Sequence, residues 1–452
     1  MNRRDFLGSL LSASTAAALG TPLSRALAAP LLAQDDFFLL VLAQGAWEIT
    51  LGLDPRNERR GLIEPGSTNT VDVAPIRKWT SLKTPLDGVN ASSGYSFDMV
   101  RPPSGSLLFG PAIGELLRHH SRLTIVNGIA MNTVSHQDGT AYSTTGRHLS
   151  GNKTVAPSLD TMVADSLGAA QLFPAVSIGF PSSFVGQGID RRATPLAISG
   201  IGTLAASLRR STLYETADAR DAVTTLLTEE ARDLAHLSAK PDVLNGLSLQ
   251  FESLRRINRE NLLELFTDSY LRGKYPNFSY ATMGASVNAA FAIDSFRRNV
   301  SRCVSFSYGS FDTHFSNYRQ QALLQQNLFD LLATVLDYLD SIPHPTKAGS
   351  KLSDTTHILV VSDFCRTPMI NPALGRDHYP NNSTLIVSPK FRGGMAFGKA
   401  DDEQLLPQPT KRFSDGLRAI TPADVLATFL TAMGTSPRKY MRDGEAIPEI
   451  LQ

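Results

Sequence analysis

Apolar residues gather in six short runs along this chain: Phe37–Ala43, Leu123–Val126, Ala175–Ile178, Cys303–Tyr308, His357–Val361 and Thr384–Val387. They are rich in Val, Ile, Leu and Phe, and mostly continuous rather than alternating. That pattern predicts strands buried on both faces of a parallel sheet. Between them the apolar spacing changes to that of helices. Pro111–His119 opens on a proline. Ser158 caps a pattern that runs to Leu167, with Leu159, Met162, Val163 and Leu167 on one face. In Tyr318–Leu339, residues Leu324, Leu328, Leu331, Val335 and Leu339 recur at helical spacing, and Thr421 caps Pro422–Met433. Strand–helix alternation of this kind predicts a doubly wound α/β fold, a mostly parallel sheet sandwiched by helices.

Two stretches depart from the alternation. Arg56–Pro103 is rich in Pro, Gly, Ser and Asn and reads as a long irregular excursion. Thr216–Arg298 is helical throughout and densely charged, so a helical insertion is expected at about 213–300, packed beside the sheet. The first residues form a separate unit. Arg3-Arg4 followed by Phe6-Leu7, an apolar run Leu10–Leu19 and the triplet Ala26-Leu27-Ala28 have the order of a twin-arginine export signal. Residues 1–28 are expected to be that signal, with a mature domain over 29–452, exported already folded to the periplasm or the cell exterior. Removing the signal takes Arg3, Arg4, Arg25 and Asp5. Lys+Arg falls from 43 to 40 and Asp+Glu from 42 to 41, so the net charge moves from +1 to −1. A balanced chain with no basic stripe is not built for nucleic acid. No later run is long enough to span a bilayer. Cys303 and Cys365 make no disulfide framework; one bridge or two buried thiols both fit.

Open α/β sheets bind ligands beyond the carboxyl ends of their strands. Gln44–Thr50 follows the first run, and Ser135-His136-Gln137-Asp138 follows the second after a short connection. Phe311-Asp312-Thr313-His314 follows the run at 303–308, and Ser362-Asp363-Phe364-Cys365-Arg366 the run at 357–361. Gly375-Arg376-Asp377-His378 precedes the last. Carboxylates and imidazoles thus recur where distant parts of the chain converge, a donor set suited to zinc, manganese or magnesium. Each string alone is equally compatible with a solvated loop or a capping carboxylate.

Taken together, these stretches resemble domain-of-unknown-function family 1501, a twin-arginine-exported family grouped with the alkaline phosphatase and sulfatase superfamily. The similarity is carried by LVLAQGAWEITLGLDP (40–55), by 122–147 ending SHQDGTAYSTTGR, and by FDTHFSN (311–317). It continues through ILVVSDFCRT (358–367), GRDHYPNNSTLIVSPKFRGGMAFG (375–398) and ITPADVLATFLTAMG (420–434). The resemblance implies an alkaline-phosphatase-like fold and metal ligands at Glu48, Asp312, His314, Asp363 and His378. At Glu48 a longer side chain replaces the usual Asp, and Phe364 stands where a further histidine is expected. His136 lies in the nucleophile region; it either serves the chemistry, replaces the histidine absent at 364, or bonds a loop carbonyl. Neither cysteine has the Cys-x-Pro-x-Arg setting of an ordinary sulfatase. A phosphatase-type nucleophile would be Thr50, Ser135 or Thr140. Arg366 or Arg376 would neutralise the transferred group, since guanidinium matches a tetrahedral oxyanion. The implied activity is hydrolysis of a phosphate, phosphonate or sulfate ester with a divalent metal: zinc, manganese, magnesium or calcium. The alternative is a catalytically degenerate scaffold that binds or assembles with a protein partner.

Overall fold

The computed structural model describes residues 35–55, 100–167, 172–186, 188–190, 193–202, 225, 229, 262–279, 283–315, 317–369, 371–373 and 375–452. The export signal at 1–28, the excursion up to residue 99 and most of the insertion at about 213–300 lie outside the described residues.

The strands, in chain order, are β1 (Phe37–Ala43), β2 (Leu123–Val126), β3 (Val176–Ile178), β4 (Leu196–Ile198), β5 (Cys303–Tyr308) and β6 (Thr356–Ser362). Then come β7 (Cys365–Arg366), β8 (His378–Tyr379), β9 (Thr384–Val387), β10 (Met395–Phe397), β11 (Lys411–Phe413) and β12 (Gly416–Arg418). Among the described residues, eight of them form one sheet in the order β10-β2-β9-β6-β1-β5-β3-β4. Within it β9 alone runs antiparallel to its neighbours. The doubly wound, mostly parallel sheet expected from the six apolar runs is therefore present.

The strands form where they do because both faces are covered. In β1, Phe37, Leu39, Val41 and Ala43 join one apolar core, and Phe38, Leu40 and Leu42 join the other. A strand with no solvent face has no polar positions, which is why the run is continuous. The described α-helices are α1 (His136–Thr145), α2 (Leu159–Leu167), α3 (Asp268–Lys274), α4 (Met283–Arg297), α5 (Asn317–Ser341) and α6 (Pro422–Ala432). Phe291 and Phe296 of α4 and Leu328, Leu332 and Leu336 of α5 belong to the first core. Met162 and Val163 of α2 and Leu426, Phe429 and Leu430 of α6 belong to the second. The start of α6 is held by Asp424, whose carboxylate accepts from Thr421 N and Oγ at 2.9 and 2.7 Å.

Local pattern misjudged a few elements. Pro111–His119 is a run of 3-10 turns over Gly114–Arg122 rather than an α-helix. Helix α1 has almost no amphipathic pattern, since most of its residues are buried small or hydroxylated side chains packed under β6. Its Ser143 Oγ donates to Ser362 O at 2.6 Å. Cys303 and Cys365 are both free and buried. Among the described residues, no helix is long and apolar enough to cross a membrane.

Candidate metal centre

The registers of β1 with β5 and β6 pair Ala43 with Tyr308 and with Ser362. The three central strands therefore end at one level, and the segments that follow them meet. Gln44 O accepts from Phe311 N at 2.8 Å, stitching the β1 and β5 loops together. Gly45 has φ +103°, and a Cβ there would sit 2.7 Å from Asp312 N and 2.8 Å from Phe311 N. A glycine is thus needed for this close approach. Gly139 plays the same part for α1, because a Cβ there would lie 2.4 Å from Asp363 O. The contact brings the first turn of α1, with His136, against the end of β6.

Four donor atoms converge on this point. Asp312 Oδ1 lies 3.2 Å from His136 Nε2, 3.2 Å from His314 Nε2 and 3.6 Å from His378 Nε2. His314 Nε2 and His378 Nε2 are 2.9 Å apart. A tetrahedral ion with ligands at ~2.0–2.2 Å separates its ligand atoms by roughly 3.3–3.6 Å, close to these spacings. His136, Asp312 and His378 satisfy the mutual proximity expected of a metal-binding group, while His314 stands beside it, in reach of Asp312 and His378.

The far side of each ring determines what the near side offers. His378 Nδ1 lies 2.7 Å from Val134 O, which can only accept, so Nδ1 carries the proton and Nε2 presents a lone pair. His314 Nδ1 meets Asp377 Oδ1 at 2.8 Å, and His136 Nδ1 meets Asp363 Oδ2 at 2.5 Å. The same tautomer follows for both. Outer partners of this kind orient metal-binding imidazoles and raise their basicity. His136 Nε2 is moreover buried without a hydrogen-bond partner. The Nε2 lone pairs of His314 and His378, 2.9 Å apart and both beside the Asp312 carboxylate, repel unless a cation lies between them. The residues therefore fit a divalent metal.

The local charges agree. Burial works against the charged form of Asp312, but the Arg366 hydrogen bond and charge, with His136 and His314, outweigh it and hold the carboxyl down at about 2. Burial disfavours protonated His136, yet the Asp363 carboxylate overrides it and raises the imidazole above its ordinary value. Burial and the charges of His136, Arg366 and His314 hold His378 below its ordinary value, against the pull of the Val134 carbonyl.

Several expected ligands sit elsewhere. Asp363 is fully buried one layer behind the centre. Its Oδ1 accepts from Gly45 N (3.1 Å), Ala46 N (2.6 Å) and Ser362 Oγ (3.0 Å), and its Oδ2 takes His136. It holds the His136 ring and does not itself face the converging donors. Asp363→Asn is accordingly expected to weaken metal affinity roughly 10–100-fold while the protein stays folded, as titration of the apo-protein with zinc would show. Glu48 is not among the converging donors. Its Oε1 accepts from Thr50 N and Oγ at 3.3 and 2.7 Å, and its Oε2 pairs with Arg376 Nε at 3.2 Å, all fully enclosed. Its carboxylate is enclosed with Arg376 and Thr50 rather than turned toward the imidazoles.

The same geometry corrects the roles considered for the arginines. Arg366 is wholly buried and donates to Ala46 O (3.0 Å), Arg376 O (3.1 Å), Gly45 O (2.5 Å) and Asp312 Oδ1 (2.7 Å). Its donors hold three loops and the Asp312 carboxylate, so it cannot swing to clamp an anion. Arg376 is likewise buried, donating to Thr367 O at 2.6 Å and to Pro368 O. Thr50 is buried and bound to Glu48, away from the imidazoles. Ser135 is exposed beside His136 at the start of α1, and its side chain makes no capping bond. Thr140 lies in the second turn of α1. Phe364 is fully buried and packs against the rings of His136 and His378, with centroids 4.8 Å away in each case. Asp377 and the Val134 carbonyl were not singled out as ring partners. The adjacency of Asp377 to His378 in sequence gave no sign that it serves His314 instead.

No curated protein matches the chain. Solved structures similar to it include Ps i-CgsB in complex with k-i-k-neocarrahexaose, at 10% identity and TM-score 0.37 over 91% of this chain and 75% of that one. A protein in the alkaline phosphatase superfamily from Vibrio parahaemolyticus is similar at 10% identity and TM-score 0.34 over 95% and 75%. A 2-O GAG sulfatase is similar at 10% identity and TM-score 0.34 over 92% and 74%. Residues 274–449, which include Asp312, His314, Asp363, Arg366 and His378, match the model of a family described as protein of unknown function (DUF1501), the family that the sequence motifs single out.

Proposed function

We propose that this chain is a metal-dependent hydrolase of phosphate, phosphonate or sulfate esters, exported folded by the twin-arginine route. The observation that carries the reading is the convergence of the Nε2 atoms of His136, His314 and His378 with Asp312 Oδ1 beyond the ends of β1, β5 and β6. His136, Asp312 and His378 would hold one divalent ion, with His314 beside them. Their imidazole-rich character favours zinc or manganese over calcium and magnesium, which prefer all-oxygen shells. An ion held there would supply the positive charge that polarises a phosphoryl or sulfuryl oxygen.

The chain's own residues do the rest. Asp363, Asp377 and the Val134 carbonyl keep the three rings in the tautomer that faces the centre. Arg366 fixes the Asp312 carboxylate and keeps it ionised. The N-terminal turn of α1 starts at His136, so its open N–H groups and partial positive charge border the centre and favour an anionic substrate. The exposed Ser135 hydroxyl beside that turn is the nucleophile candidate adjoining the centre.

The burial of both arginines favours a second reading, a scaffold that keeps the centre but lacks an anion clamp. Metal analysis and an ester screen on protein purified without chelator separate the two. The hydrolase reading expects close to one equivalent of zinc or manganese and turnover of phosphate or sulfate esters, both lost with chelator. Folded protein that binds no metal, or that binds it and turns over no ester, would leave the scaffold.

A further inference from the structure

Among the described residues, few large hydrophobic side chains are exposed, and three of them, Val134 (46%), Phe315 (62%) and Met369 (56%), stand on segments that carry or hold the side chains of this centre. Scattered apolar residues on a surface are ordinary, whereas apolar residues gathered at one functional cleft mark what that cleft receives. These three come from three separate segments. Val134 precedes α1, and its carbonyl takes the His378 Nδ1 hydrogen bond at 2.7 Å. Phe315 follows His314 directly in the chain. Met369 O accepts from Thr367 Oγ at 3.0 Å, and that hydroxyl accepts from Asp377 N at 3.0 Å, next to the carboxylate that orients His314. Each therefore belongs to a segment that is tied to the centre through its backbone. The imidazoles themselves add an aromatic wall, with the His378 ring 4.3 Å from that of His136 and 4.7 Å from that of His314, centroid to centroid.

We infer that the ester taken by this site carries an apolar group, such as an aryl or alkyl chain, on its oxyanion, with Phe315 and Met369 as specificity residues. The inference rests on the hydrolase reading above. A polar sugar or a free inorganic anion would leave these side chains in water, while an apolar substituent would cover them as its oxyanion reached the centre.

Isothermal titration of the zinc-loaded protein with phenylphosphonate and with methylphosphonate tests this. Phenylphosphonate is expected to bind about tenfold tighter or more, the scale set by removing a phenyl ring from water. The double variant Phe315→Ala/Met369→Ala, changed only at exposed positions, is expected to lose that preference and keep its methylphosphonate affinity. Equal binding of the two phosphonates by the unaltered protein overturns the apolar substrate and leaves the hydrolase reading standing. A preference that survives in the double variant overturns the role of these two residues. Failure of both phosphonates to bind metal-loaded protein overturns the hydrolase reading and this inference with it.

Discussion

Asp312→Asn combined with His378→Ala is expected to bring the metal content of the purified protein down to background. The pair removes the one carboxylate among the four converging donors and one of its three imidazoles. Outer-shell changes alone cost metal sites about 10–100-fold in affinity, so removing two direct donors is expected to cost more than about a hundredfold. Asparagine at 312 keeps an oxygen to accept from Arg366 Nη2, which sits 2.7 Å from the aspartate now. The negative charge goes but the hydrogen bond that holds the loop stays. His378 is partly exposed, so its truncation leaves no closed cavity. Circular dichroism should therefore show an unchanged fold beside the lost metal. Full metal content in this double variant would show that the ion, if one is bound, sits elsewhere.

The second large effect is on stability. Arg366→Met is expected to destabilise the protein by about 3 kcal/mol or more, because the change removes every donor and leaves buried acceptors unpaired. The guanidinium serves the carbonyls of Gly45, Ala46 and Arg376, and Ala46 O also accepts from Gln321 Nε2 at 3.2 Å. Asp312 is half-exposed and can turn to water, so the carbonyls bear most of the penalty. Arg366→Lys is expected to fall between the two, since a single ammonium cannot reach acceptors on three loops from one fork. Urea unfolding of the metal-free forms measures both. A loss under ~1 kcal/mol for the methionine variant would mean that the loops are tied by other contacts.

Much of this arrangement was legible before any tertiary structure. The ends of β1, β2, β5 and β9 coincide with apolar runs in the sequence, because strands buried on both faces advertise themselves by composition alone. Asp312, His314 and His378 stand just past or before such runs, the family resemblance implies them as ligands, and the structure brings them together. Short strands were less visible. β4, β7, β8 and β10 are two or three residues long, too short to show a period, and form because a neighbouring strand edge is there to pair with. Helix α1 escaped for the opposite reason: its buried face is made of glycine, serine and threonine, which read as loop.

Glu48 and Arg366 mark the boundary most clearly. In sequence each stands a few residues past an apolar run, where a ligand or an anion clamp belongs, and nothing local distinguishes Glu48 from Asp312. Burial and partners made the difference. Arg376, more than 300 residues away, closes on Glu48, and Arg366 turns inward to loop carbonyls. The amino-acid sequence by itself determined the sheet, its layers and the end of it where chemistry gathers, because hydrophobic periodicity and strand-end position are local properties. Tertiary structure alone decided which carboxylates face the centre, which stand behind a ring and which are consumed by a buried cation. Those outcomes depend on contacts between strand ends that only the folded sheet makes neighbours.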